Sequence, residues 1–106
     1  MELLTKELLN KLPALYVNDD KKPEETKVIL KLFTPDAQCT WYITEFDGKD
    51  KFYGFCNLGD EQGAELGYIS LRELQTIRGR LGLPVERDKY WNSNTTLDKV
   101  MNFQVT

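Results

Sequence analysis

An α+β fold is what this sequence predicts, a four-stranded and mainly antiparallel sheet built on a central aromatic hairpin and covered by short helices. Three observations carry that expectation. Residues 40–55 place Trp41, Tyr42, Phe46, Phe52, Tyr53 and Phe55 on either side of an Asp47-Gly48 turn signal. Asp-Gly favours a tight hairpin because both central residues of a type I′ turn need positive φ. Residues 27–33 alternate, with Val28, Leu30 and Leu32 on one face against Lys27, Ile29 and Lys31 on the other, as a half-buried strand does. Ser70 followed by Glu73 forms a capping box ahead of Leu71, Leu74 and Ile77 at helical spacing.

Taken in chain order, Thr5 caps a short helix whose Leu8, Leu9 and Leu12 lie on one side, and Pro13 ends it. Residues 17–26, with Asp19, Asp20, Lys21, Lys22 and Pro23, are mixed in sign and aperiodic, the composition of an exposed connector. After the strand at 27–33, Thr34, Pro35 and Asp36 turn the chain into the hairpin. A two-residue Asp47-Gly48 loop makes opposed residue numbers sum to about 95. That register pairs Tyr42 with Tyr53, Trp41 with Gly54 and Cys39 with Cys56. Gly54 then leaves room for the Trp41 ring to lie across its strand.

The same register puts aromatics on both faces of the sheet. One face packs on helices. The other either exposes Tyr42, Phe46, Tyr53 and Phe55 as a binding patch or is covered by a later segment. A fourth strand is expected over 65–69, leading into the Ser70 helix, which Gly79 stops. Arg72, Arg78, Arg80 and Arg87 follow closely enough either to hold a carboxylate or to tie the C-terminal segment to Glu45, Glu65 or Glu73. Thr95 with Asp98 starts a last short helix through Met101.

Composition bounds the function. A chain of 106 residues, 41% hydrophobic and 29% charged, is one domain spanning 1–106 with a single core. No apolar run reaches membrane-spanning length, and the N-terminus is too polar for a secretory signal, so a cytoplasmic location and reduced cysteines are expected. Charge is uneven. Residues 45–71 hold 6 acids and 2 bases, whereas residues 72–106 hold 4 acids and 6 bases. The acids Glu45, Asp47, Asp50, Asp60, Glu61 and Glu65 form either a patch for a basic partner or a solvated face. Direct nucleic-acid binding through a large basic face is disfavoured by that balance.

Histidine is absent, which removes the commonest general base and metal ligand. Two cysteines seventeen residues apart do not make a zinc site. No phosphate-cradling or nucleophile-elbow motif occurs. The carboxylate pairs Glu45/Asp47 and Glu86/Asp88 are what a small metal-dependent hydrolase would use, although pairs at that spacing arise readily among 17 acids. Neither catalytic residue, metal nor cofactor is assigned.

The chain opens with Leu4-Thr5-Lys6-Glu7-Leu8 and Leu12-Pro13-Ala14-Leu15-Tyr16, and continues with Thr40-Trp41-Tyr42-Ile43-Thr44-Glu45-Phe46-Asp47-Gly48. Glu65-Leu66-Gly67-Tyr68-Ile69-Ser70-Leu71, Glu73-Leu74 and Gly82-Leu83-Pro84-Val85-Glu86-Arg87-Asp88 follow. In these segments, which together cover nearly the whole chain, it resembles a small bacterial family of unassigned function carried on plasmids, phages and other mobile elements. Type II-A anti-CRISPR activity is found within that family. The resemblance implies an inhibitor that binds the RNA-guided effector nuclease of a type II CRISPR system, and it supplies no catalytic residues; a monomer without enzymatic activity, meeting the guide-loaded effector, is expected. An accessory protein-binding module of a mobile element is the alternative it leaves open.

Overall fold

Local chemistry starts and stops each helix. In the computed structural model, which describes residues 2–59 and 64–105 and side chains as far as Met101, the first helix α1 spans Lys6–Lys11. The Thr5 hydroxyl accepts the Leu8 N–H at 3.2 Å, supplying one of the bonds a helix start lacks. Leu8 and Leu12 reach the core, but Leu9 points to solvent. Helix α2, Leu71–Thr76, begins at Ser70, whose hydroxyl accepts the Glu73 N–H at 3.2 Å, one half of the capping box expected. It ends at Thr76, before Gly79. Gly79 serves another purpose, since a Cβ there would lie 1.5 Å from Asp36 Oδ1. The last helix α3 spans Leu97–Val105, and the hydroxyl bonded to Asp98 at its start is that of Thr96.

The sheet has five strands, not four. They are β1 Leu30–Phe33, β2 Thr40–Phe46, β3 Lys51–Asn57, β4 Glu65–Ser70 and β5 Glu86–Arg87, in the order β4-β3-β2-β1-β5 and antiparallel throughout. The two-residue β5, too short to show a period, pairs Arg87 with Leu32 and Glu86 with Phe33. β1 is shorter than its alternating sequence. The ladder stops at Leu30↔Ile43, where β2 bulges, and Val28 packs on the opposite face from Leu30 and Leu32.

The hairpin register also differs from expectation. Phe46 faces Phe52 and Glu45 faces Tyr53, and four residues, 47–50, separate the end of β2 from the start of β3. Asp47 explains the longer loop, because one carboxylate oxygen accepts the N–H groups of Lys49, Asp50 and Lys51 at 2.7, 2.9 and 3.0 Å. Gly48 takes the left-handed conformation at φ 85° but Asp47 does not, so the corner is not the type I′ turn expected. Thr44 is then the extra residue of a bulge, its hydroxyl donating to Tyr53 O at 3.0 Å. Beyond it Ile43 faces Gly54, Tyr42 faces Phe55 and Trp41 faces Cys56. Cys39 is therefore diagonal to Cys56, not opposite it; both are free and pack beside the same core. Ile43, not Trp41, lies across from Gly54.

Both sheet faces bury a core. On one, Leu30, Leu32, Trp41, Ile43, Phe46 and Phe52 pack against α1, α2 and Val85. On the other, Val28, Tyr42 and Phe55 meet Trp91 and α3 through Leu97 and Val100. The Trp91 indole N–H donates to Val28 O at 2.8 Å and Leu97 N–H to Thr26 O at 2.8 Å, which anchors the C-terminal segment along residues 26–29. No helix among the described residues is long and apolar enough to cross a membrane.

Candidate protein-binding surface

The residues expected to form one aromatic and acidic patch are dispersed by this fold. Tyr42 and Phe55 are covered by Trp91 and α3, the Tyr42 and Trp91 ring centroids being 5.8 Å apart. Phe46 lies in the core of the other face, its centroid 4.6 Å from that of Phe52. Tyr53 alone of the four is only half-buried on the open part of the sheet. Asp60 and Glu61 lie outside the described residues. Glu65 is exposed at the start of β4.

The other three acids hold backbone in place. Glu45 is 3% exposed, and its two oxygens accept the Tyr16 N–H at 2.7 Å and the Asn18 side-chain amide at 2.9 Å. Asp47 caps the hairpin tip as described, and those backbone N–H bonds hold its carboxyl below its ordinary pKa. Asp50 accepts the Ser70 hydroxyl at 2.7 Å and the Arg72 N–H at 2.8 Å, and in that order these bonds lower its carboxyl pKa as well. Arg78 and Arg87 likewise contact main chain. Arg78 donates to the carbonyls of Gln75 and Ile77 at 3.0 and 2.8 Å, and Arg87 donates to that of Glu2.

Carboxylates do not converge. Glu86 stands on β5, with β1 between it and the β2 residue Glu45, and no group of three or more potential metal ligands occurs among the described residues. A hollow of about 550 Å³ beside β1 and β5 mixes Lys31, Arg87 and Lys89 with Glu86 and Asp88 and shows no built anion or cation site.

What the fold does assemble is a tyrosine surface at the β4 edge. Tyr53 and Tyr68 are cross-strand partners, edge to face with centroids 5.2 Å apart. Lys51 Nζ sits 5.2 Å from the Tyr68 centroid, within cation–π range. Tyr16 arrives from the 13–18 loop, which is fastened by Glu45 and by Phe46 N–H donating to Pro13 O at 3.0 Å. Its side chain shares a hydrogen bond with Tyr68 that, ahead of desolvation and of Asp19 nearby, raises the Tyr68 phenol. Tyr16 and Tyr68 remain 58% and 56% exposed, and Leu66 is exposed beside them. Sequence reasoning passed over Tyr16, Leu66 and Tyr68. The available signal was Leu66-x-Tyr68, two residues of one strand face set against Tyr53-x-Phe55.

The profile of one protein family, described as a protein of unknown function, DUF2958, matches residues 3–103. The chain belongs to the DUF2958 family. The match spans every strand and helix start named above. No curated protein and no solved structure matches the chain.

Proposed function

We propose that this DUF2958 protein is a binding protein without chemistry of its own, and that it inhibits a guide-loaded type II CRISPR effector nuclease by stoichiometric association. Association of this kind would hinder target binding or cleavage from within the host cytoplasm. The observation that carries the binding part is the exposed tyrosine cluster at the β4 edge, since tyrosines dominate the energetics of many protein interfaces. The target comes from the resemblance to the mobile-element family. A net charge of −3 is compatible with a surface that meets the basic channel of such effectors, though too small for a wholesale mimic of DNA.

Cell-free cleavage by purified type II effectors, each with guide and target, tests the proposal. Inhibition should reach its end point near one inhibitor per effector and weaken as salt rises, because exposed charges are screened over about 8 Å at physiological ionic strength. Asp47 and Asp50 are unsuitable for charge reversal, since both carboxylates hold backbone together. Asp19→Lys with Glu65→Lys is the informative pair. If no effector tested is slowed by the parent protein, the role of an accessory module for another mobile-element protein replaces that of inhibitor.

A further inference from the structure

The two edges of the sheet are unlike. β5 is two residues long and carries Glu86 and Arg87, features that discourage strand addition. β4 runs for six residues, Glu65–Ser70, with no lysine, proline or bulge, and pairs with β3 without a break from Lys51↔Ser70 to Cys56↔Glu65. Among the described residues no strand pairs with its outer side.

Alternation decides which groups point outward. Asp47 N–H donates to Lys51 O at 2.9 Å, so the polar groups of Lys51 face β2 and those of Phe52, Gly54 and Cys56 face β4. Their partners Ile69, Gly67 and Glu65 therefore face inward. Leu71 N–H, two residues beyond Ile69, keeps that sense by donating to Asp50 O at 2.8 Å. Leu66 and Tyr68 are left with N–H and C=O directed away from the sheet.

Backbone strain marks the same place. Tyr16 has φ 72°, a conformation costing a bulky residue on the order of 1–3 kcal/mol. Its ring stays mostly in solvent, so packing does not account for the strain. Holding Tyr16 there extends the Tyr53–Tyr68 pair into a three-ring surface beside the free edge.

We propose that β4 accepts an added strand from a partner protein, an extended segment with arginine or lysine at alternate positions whose basic side chains lie over Tyr16, Tyr53 and Tyr68. The inference rests on the reading of this chain as a binding protein. Charge complementarity selects the basic partner. Aromatic faces attract cations, as Lys51 at Tyr68 illustrates, and Glu65 is the exposed charged residue of the edge strand itself. A second copy is a poorer occupant. It would bring the same exposed acid, Glu65, to both sides of the edge.

Amide shifts and hydrogen exchange of the ¹⁵N-labelled protein test this with an alternating Arg–Val decapeptide as probe and an alternating Glu–Val decapeptide as control. At ten times its dissociation constant the basic peptide should slow exchange at Leu66 and Tyr68 by roughly tenfold. Leu66→Pro should abolish the effect while keeping the native spectrum, because the N–H it removes faces outward. Tyr68→Ala serves where the proline variant fails to fold. Shifts elsewhere, no shifts, or equal response to the acidic peptide would overturn the proposal, and protection that grows with protein concentration alone would assign the edge to a second copy. An effector that binds the protein without protecting these amides sinks the surface and spares the inhibitor; peptide binding with no effector binding does the reverse.

Discussion

Gly54 and Gly67 face each other across β3 and β4, yet replacing each by alanine should give opposite results. A Cβ on Gly54 would sit 2.1 Å from Tyr42 O and 3.0 Å from Ile43 Cα, whereas a Cβ on Gly67 meets nothing within 4 Å. The Gly54 contact is with backbone, in the middle strand pair and next to the Thr44 bulge, so no side chain can rotate away. Relief requires β2 and β3 to separate by more than an ångström. That motion weakens one or two ladder hydrogen bonds at about 1 kcal/mol each, on top of an overpacking cost of about 1–3 kcal/mol. Gly54→Ala should therefore lose about 3–5 kcal/mol, a large share of the roughly 5–15 kcal/mol that holds a domain folded. Gly67→Ala should be neutral or stabilising by up to about 1 kcal/mol, since alanine narrows the unfolded ensemble. Urea unfolding followed by tryptophan fluorescence reads both, because Trp41 and Trp91 report one sheet face each. With a slope of about 1–3 kcal/mol per molar urea, the Gly54 variant should have its midpoint lowered by at least about 1 M. Equal midpoints for the two variants would refute the bulged register and restore Gly54 to a position opposite Trp41.

Three further outcomes follow from the same contacts. Asp47 and Asp50 have depressed pKa values, so they stabilise the fold above the unfolded value near 4 and lose that contribution as pH falls through their folded values; Asp47→Asn and Asp50→Asn should each flatten the acid limb of a stability-versus-pH curve, and an unchanged limb would show the carboxylates idle. Cys39 and Cys56, diagonal across β2 and β3, should both titrate as thiols in reduced, desalted, unfolded protein, with Cys56 slow in the native state because burial raises its thiol pKa; fewer than two thiols would contradict this. Glu45→Ala should free the 13–18 loop, accelerating exchange of the Tyr16 amide while the β2–β3 amides stay protected; unchanged exchange at Tyr16 would mean that the Pro13–Phe46 bond alone fastens the loop.

Legibility of the fold divided along the range of the interactions involved. Thr5, Ser70 and the Asp47-Gly48 corner act over three or four residues, and each appears where local pattern places it. Register is a longer-range property. It turned on Asp47 using its carboxylate for three N–H groups, which lengthens the connection between β2 and β3 from two residues to four, and on Thr44 slipping out of the ladder. Neither event has a distinctive residue pattern, because Asp-Gly and Thr occur equally in the shorter turn and in unbroken strands. β5 was illegible for a related reason, as two residues are recruited to a sheet by their neighbours and not by their own period.

The candidate site was hidden by the same errors. The acids are close in sequence, but a carboxylate near free backbone N–H groups is commonly taken by them, as Asp47 is, and Asp50 is taken by Ser70 and Arg72 some twenty residues on, which no local pattern signals. Aromatics were grouped by strand, although which of them stay open depends on where the C-terminal segment lands. Trp91 covers Tyr42 because its indole finds Val28 O, and α3 covers Phe55 from the same side, while Tyr68 stays 56% exposed. The exposed rings thereby lie at the edge of the sheet and not at the centre of the hairpin. There an extended partner can gain main-chain hydrogen bonds and ring contacts together, without disturbing either core.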